Sequence, residues 1–167
     1  MVEIITPRAI ARPFSREDAR DVFACISPGV TRFMAWAPPA TEADFAVVWK
    51  PWLLSQEDGL ELYLVARQRD DGQCLGIVGI HALKSETPEL GIWLRHDVQG
   101  KGLGHELIGA VGKWVSQNVP IKYLEYPVAE ENIASRRIAE AYGGEVRDYR
   151  SNPKYQSVVY HIPPLLS

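Results

Sequence analysis

The segment that most restricts the fold is Gln99-Gly100-Lys101-Gly102-Leu103-Gly104, in which three glycines stand at alternate positions. It follows Glu89-Leu90-Gly91-Ile92-Trp93-Leu94, which reads as a strand after the Thr87-Pro88 break. It precedes Leu103, Leu107, Val111, Trp114 and Val115, whose spacing is helical. A strand therefore passes through a glycine loop into a helix that runs to about Asn118, where Pro120 closes it. With no side chains at those positions, consecutive backbone N–H groups can converge on an anion at the helix N-terminus. The spacing is not that of a Walker loop, because no Ser or Thr follows the Gly-Lys pair to hold Mg²⁺. Nor is it G-x-G-x-x-G, since the third glycine arrives one residue early. The pattern suits a metal-free backbone grip on a pyrophosphate; a glycine turn kept for tight packing is the plainer alternative.

The chain around this loop has 167 residues, 46% hydrophobic and 23% charged, which predicts one ordinary globular domain over 1–167 with no linker or repeat. Its 18 Lys and Arg against 21 Asp and Glu give a net charge of −3, without the basic footprint of a nucleic-acid binder. Cys25 and Cys74 share no metal-ligand spacing and read as free thiols in a reducing compartment. The first residues lack a basic segment followed by a long apolar one, and no apolar run approaches the roughly 18 residues of a membrane span. A cytoplasmic protein with no membrane or nucleic-acid partner is expected.

Ala9 to Phe14 reads as a strand. Ser15 and Asp18 then form an N-cap pair for a helix over Arg16 to Cys25. Thr41 caps a second helix reaching to about Ser55, with Pro51 expected to end or bend its last turn. Leu60–Arg67 and Cys74–Leu83 are strands joined by the turn Asp70-Asp71-Gly72-Gln73. After the glycine loop and its helix come a strand over Lys122–Val128, a helix over Asn132–Tyr142 ended by Gly143-Gly144, and a hairpin of Glu145–Arg150 with Ser157–Ile162. This order predicts an α/β fold: a mixed, mostly antiparallel sheet of about six to seven strands flanked by about four helices.

Gln99-x-x-Gly102-x-Gly104, placed between the fourth predicted strand and the third helix, resembles the Q/R-x-x-G-x-G/A pyrophosphate motif of the GNAT superfamily of N-acetyltransferases. Thr6-Pro7-Arg8 with Arg12 and Asp18, Glu89-x-Gly91-Ile92-Trp93, Glu106, Asn132-x-x-Ser135 and Gly143-Gly144 are similar to the branch of that family containing the ribosomal-protein N-terminal acetyltransferases. The resemblance implies a sheet splayed between the fourth and fifth strands, with acetyl-CoA as cosubstrate and no metal. It implies that Trp93, Leu94 and Arg95 offer backbone groups to pantetheine, and that Gln99, Gly100, Lys101, Gly102, Leu103 and Gly104 hold the pyrophosphate. Asn132 would reach the cofactor arm, although Asn followed three residues later by Ser is also what a helix cap looks like.

In that family an amine attacks the thioester directly. The reaction needs a carboxylate to accept the ammonium proton and an acid for the departing thiolate. Glu125 and Glu89, near the splay, are the candidate bases. Many members carry a tyrosine acid seven residues after the motif asparagine; here that position is Ala139, so Ser135 is the candidate thiolate donor and Tyr142 a packing residue. Phe33, Met34 and Trp36 fall where the family shapes its acceptor site. The acceptor implied is a primary amine, on a protein N-terminus or a small molecule, and the acidic Glu125, Glu130 and Glu131 would suit a cationic one. Without the tyrosine, a non-catalytic acyl-CoA-binding or regulatory module is the alternative. Exposed tryptophans would favour a homodimer. His105-Glu106 begins like H-E-x-x-H, but Gly109 replaces the second histidine and excludes that zinc site; His81 and His96 have no partners at ligand spacing.

Overall fold

The computed structural model describes residues 2–166. One sheet of eight strands runs in the order β1-β2-β3-β4-β5-β6-β8-β7. The strands are β1 (Ile4–Ile5), β2 (Ala9–Pro13), β3 (Leu62–Gln68), β4 (Cys74–His81), β5 (Glu89–Leu94), β6 (Leu124–Ala129), β7 (Glu145–Ser151) and β8 (Gln156–Ile162). The helices are α1 (Ala19–Cys25), α2 (Pro28–Thr31), α3 (Glu42–Glu57), α4 (Leu103–Asn118) and α5 (Ile133–Ala141). Eight strands and five helices exceed the predicted numbers because β1 is two residues and α2 a single turn, both too short to show a period.

Local capping sets the boundaries. The Asp18 carboxylate accepts from the Ser15 N–H at 2.9 Å, so a 3₁₀ turn over Arg16–Asp18 leads into α1. The Thr41 hydroxyl accepts from Asp44 N–H at 3.1 Å and starts α3. α3 passes Pro51 and runs to Glu57, slightly beyond the expected Ser55, so Pro51 does not end it. The carbonyl deprived of a donor belongs to Val47, whose side chain is 75% exposed, so that face of the helix is open to solvent and the missing bond carries little cost there.

Alternation along the strands gives the sheet two faces. Leu62, Leu64, Val78, Ile80, Leu90, Leu124 and Tyr126 face α4 and α5 and form the larger core. Leu107, Ile108, Val111 and Val115 of α4 are fully buried against them, each worth about 1.5–3 kcal/mol over an exposed position. The opposite face, with Val65 and Ile77, packs against Phe14, Val22, Phe45 and Trp49 from the α1 and α3 side. None of the tryptophans is exposed: Trp49 is buried, and Trp36, Trp52, Trp93 and Trp114 are half-buried. The ground for expecting a homodimer is thereby removed. Among the described residues, no helix is long and apolar enough to cross a membrane.

Candidate active site

β5 pairs with β4 along its length but meets β6 at one bridge, Glu89 opposite Glu125, where Glu125 N–H donates to the Pro88 carbonyl at 2.8 Å. Beyond this bridge the two strands part. Backbone directions alternate along an antiparallel strand, and Arg95 N–H donates to the Leu75 carbonyl at 2.7 Å. Trp93 and Arg95 therefore turn their backbone groups toward β4, while Ile92 and Leu94 turn theirs into the gap. Of the three residues expected to offer backbone groups to a cofactor, only Leu94 has them free in the gap. Those of Trp93 and Arg95 are turned to β4, and Ile92, not among the three, shares the direction of Leu94. The cause is a one-residue phase that strand patterning does not reveal. The Arg95 guanidinium is also engaged elsewhere, on Asp97 at 2.5 Å and the Cys74 carbonyl at 3.0 Å.

The glycine loop leaves β5 and enters α4. Gln99 folds back, its Nε2 donating to the Leu94 carbonyl at 2.9 Å, and so ties the loop to the strand end. Gly100 and Gly102 have φ of +75° and +79°, the left-handed region that an L side chain enters only with strain. Gly104 is there for a different reason: a Cβ would lie 2.9 Å from Ile138 Cδ1, so its absence lets α4 pack on α5. The tight-packing reading thus holds at Gly104, while Gly100 and Gly102 are required by the backbone conformation of the loop. The N–H groups of Gly100, Lys101, Gly102, Leu103, Gly104 and His105 have no hydrogen-bond partner among the described residues. Lys101 and its neighbours lie exposed at this N-terminus, where the helix dipole also favours an anion.

The N-terminal segment braces the loop from below. Glu106 Oε2 accepts from the Thr6 hydroxyl at 2.7 Å and Arg8 N–H at 3.0 Å, and Oε1 accepts from Arg8 Nε at 2.8 Å. Arg8 Nη1 reaches the Lys101 carbonyl at 2.9 Å. Burial raises the Glu106 carboxyl, but the bonds from Thr6 and Arg8 outweigh it and hold the group below the usual carboxylate range. A depressed folded pKa contributes stability above the unfolded value, about 4.3 for Glu. That contribution disappears as pH falls through the folded pKa. Glu106→Gln should therefore cost about 1–3 kcal/mol at neutral pH, and urea unfolding should show the gap from wild type closing on acidification. A gap unchanged down to about pH 3, well below the ordinary carboxylate value, would rule this brace out.

On the same face, Ser135 Oγ lies 2.6 Å from the phenol of Tyr126, which is 1% exposed and whose pKa burial pushes up to about 12. Asn132 Oδ1 accepts from Ser135 N–H at 3.2 Å and caps α5, so the helix-cap role is the one its side chain performs here. Tyr142 packs: its hydroxyl donates to the His105 carbonyl at 2.6 Å and occupies the space a Cβ at Gly109 would need.

The opposite face carries a cavity of about 730 Å³ lined by Phe33, Met34 and Trp36, by Trp52 of α3, and by β4 and β5. The Lys154 ammonium, missed in the sequence, holds this wall by bonding the carbonyls of Thr31 and Trp36. Ser135, Asn132 and the glycine loop do not line this cavity. They lie across the sheet, and the gap between β5 and β6 is what joins the two sides. At the bridge itself, Arg150 donates to Glu89 at 2.9 Å and to Glu125 at 3.0 Å. Those bonds, to Glu89 first, raise the Arg150 pKa and keep it charged. Both carboxylates expected to act as bases thus share one guanidinium. Their partner stands 61 and 25 positions away, beyond the reach of any local pattern. His81 also lines the cavity and pairs with Glu61, a contact set by strand register.

The sequence matches the acetyltransferase (GNAT) domain over residues 8–145. The chain belongs to the GNAT acetyltransferase family, a class of acyltransferases. Among solved structures, it resembles RimL, a ribosomal α-N-protein acetyltransferase in complex with coenzyme A, at 12% identity and a TM-score of 0.87 over 99% of this chain and 100% of that one. An acetyltransferase of the GNAT family from Bacillus anthracis matches at 18% and 0.80, over 98% and 99% of the two chains. Spermidine N-acetyltransferase from Vibrio cholerae, in complex with coenzyme A and spermine, matches at 17% and 0.78, over 93% and 95%. No protein of curated function matches the sequence significantly.

Proposed function

We propose that the protein transfers acetyl from acetyl-CoA to a primary amine by direct attack in a ternary complex. The observation that carries this reading is the run of six unpartnered N–H groups from Gly100 to His105, placed beside a gap in the sheet. The pyrophosphate would rest on Gly100, Lys101, Gly102, Leu103 and Gly104, with Gln99 holding the loop in shape. The pantetheine arm would bond Ile92 and Leu94 as a further strand would, and bring the thioester to the gap near Ser135. Acetyl-CoA supplies the activated acyl group. The amine nitrogen adds to its carbonyl carbon, the C–S bond breaks, and the electron pair leaves on sulfur. Ser135, oriented by Tyr126, donates a hydrogen bond to that sulfur, and the proton shed by the new amide nitrogen ends on the thiolate.

The acceptor would enter from the other side, between Phe33, Met34 and Trp36 and the acidic residues Asp44, Glu89 and Glu125. RimL acts on a protein α-amino group and the Vibrio cholerae enzyme on spermidine, so both protein N-termini and small amines belong among the acceptors to be tried. A binding module that transfers nothing is the second reading, favoured by the buried Ala139 where many family members carry the tyrosine acid. Calorimetry with acetyl-CoA and CoA in EDTA, with ATP and NAD as controls, followed by thiol release over a panel of peptides and amines, tests both. Metal-independent binding with turnover is the expected result. Binding without turnover on any amine would favour the module, and no binding to folded protein would end the reading.

A further inference from the structure

β4 and β5 present two glycines side by side, Gly79 opposite Gly91, both lining the cavity. A Cβ at Gly91 would meet nothing within 4 Å, and one at Gly79 would meet the ring of His81 alone, with Nε2 at 3.2 Å. Two missing side chains on adjacent strands leave a trough floored by backbone. Ile77 and Trp93 close one end, and His81 and Glu89, again directly opposite each other, stand at the other. We propose that an acceptor amine lies in this trough and that His81 Nε2 takes its proton, with Glu61 as the positioning residue behind the ring.

The geometry favours His81 over its neighbours. Its Nδ1 bonds the Glu61 carboxylate, so Nδ1 carries the ring proton of the neutral imidazole and the Nε2 lone pair is free. Nε2 has no partner among the described residues and overhangs Gly79. The Tyr63 ring meets the imidazole edge-on at 5.6 Å, and Trp52 stacks on Tyr63 at 4.4 Å, which fixes the ring plane. The titratable and charged groups around His81 are Glu61 and Tyr63 on the β3 side, Glu89 with its partner Arg150 on the β5 side, and Asp44 of α3 on the cavity wall. Burial raises Glu61, but bonds from His81, Tyr63 and Ser55 outweigh this and keep it ionised. Burial, then Glu61, pushes the Tyr63 phenol up and keeps its proton on. Glu89 is held by Arg150, whereas His81 Nε2 has no partner among the described residues and faces the trough.

The protons balance in the reaction proposed above, on which this inference rests. The bound ammonium gives one proton to Nε2, and the neutral nitrogen attacks the thioester. Its second proton goes to the thiolate. The imidazolium, 35% exposed, then returns its proton to water through the cavity mouth.

The test compares wild type with His81→Gln and Glu61→Gln, measuring acetyl-CoA affinity by calorimetry, kcat/KM and kcat against pH on a working amine, and rescue by added imidazole. His81→Gln should bind acetyl-CoA within about threefold of wild type, lose about 100-fold in kcat/KM and lose the acidic limb of the kcat profile. Free-base imidazole should restore part of the rate to His81→Ala. Glu61→Gln keeps an acceptor for Nδ1, so it should lose less in kcat than His81→Gln, with the KM for the amine unchanged. An unchanged rate, or a limb that survives in His81→Gln, overturns the assignment. Should that variant fail to fold, a His81→Ala protein whose rate added imidazole does not restore overturns it equally. Loss of acetyl-CoA binding in wild type would instead defeat the cosubstrate reading, a failure read on a different instrument.

Discussion

Gly102→Glu should weaken acetyl-CoA binding by more than about 100-fold while the protein stays folded. Gly102 is the N-cap of α4 at φ +79°, between N–H groups that have no other partner. A carboxylate there would set negative charge against the pyrophosphate in the place where backbone dipoles should meet it. Space is not the obstacle, because a Cβ meets only Arg8 Nη2 at 3.7 Å, and the left-handed backbone costs a non-glycine residue about 1–2 kcal/mol. Gly102→Ala carries that same backbone cost without the charge and separates the two effects. Calorimetry in EDTA should find alanine within about tenfold of wild type, a difference of about 1.4 kcal/mol, and glutamate with no measurable heat. If alanine is as damaging as glutamate, the loop acts through its shape alone. If glutamate binds normally, the pyrophosphate is held elsewhere.

Ser135→Ala should lower kcat by about 100-fold with acetyl-CoA affinity unchanged, the scale expected when an acid–base group is lost. The stability side is distinctive. Removing the Ser135 hydroxyl leaves the Tyr126 phenol, 1% exposed, without its partner, at a cost of about 1–3 kcal/mol. Tyr126→Phe, which frees Ser135 to rotate but leaves it a route to solvent, should cost less in stability and about tenfold in kcat. The double variant removes both polar groups together, so it should be more stable than the sum of the single losses predicts. Urea midpoints for the four proteins, beside single-turnover rates, close the cycle. Additive stabilities would mean that the Tyr126–Ser135 bond contributes nothing, and an unaltered rate in Ser135→Ala would remove it from the chemistry.

Features written in neighbouring residues were legible in the sequence. Glu89–Leu94, Leu103–Asn118 and the Ser15 and Thr41 caps follow from period, glycine and cap chemistry and stand where expected. Whether Pro51 would end its helix was not legible, because the cost of a helix proline depends on whether the orphaned carbonyl is exposed, which is a tertiary fact. The candidate site was legible in its glycine loop and obscure in the cavity across the sheet for the same reason. A loop of six consecutive residues announces itself, whereas Arg150 with Glu89 and Glu125, Lys154 with Thr31, and His81 with Glu61 are brought together by the tertiary fold across 20 to 123 positions. Carboxylates at the right end of the right strands looked free until the fold supplied their guanidinium. The histidine looked solitary until the sheet supplied its carboxylate.

The single bridge between β5 and β6 also has a consequence for inhibitor design. Because the loop of α4 and the 730 Å³ cavity open on opposite sides of one sheet, a compound that grips both must be thin in the middle. Its two headgroups can be bulky and can be varied independently. The linker between them has to pass the gap between β5 and β6, bounded at one end by the Glu89–Glu125 bridge, so a branch belongs on the ends and not in the middle.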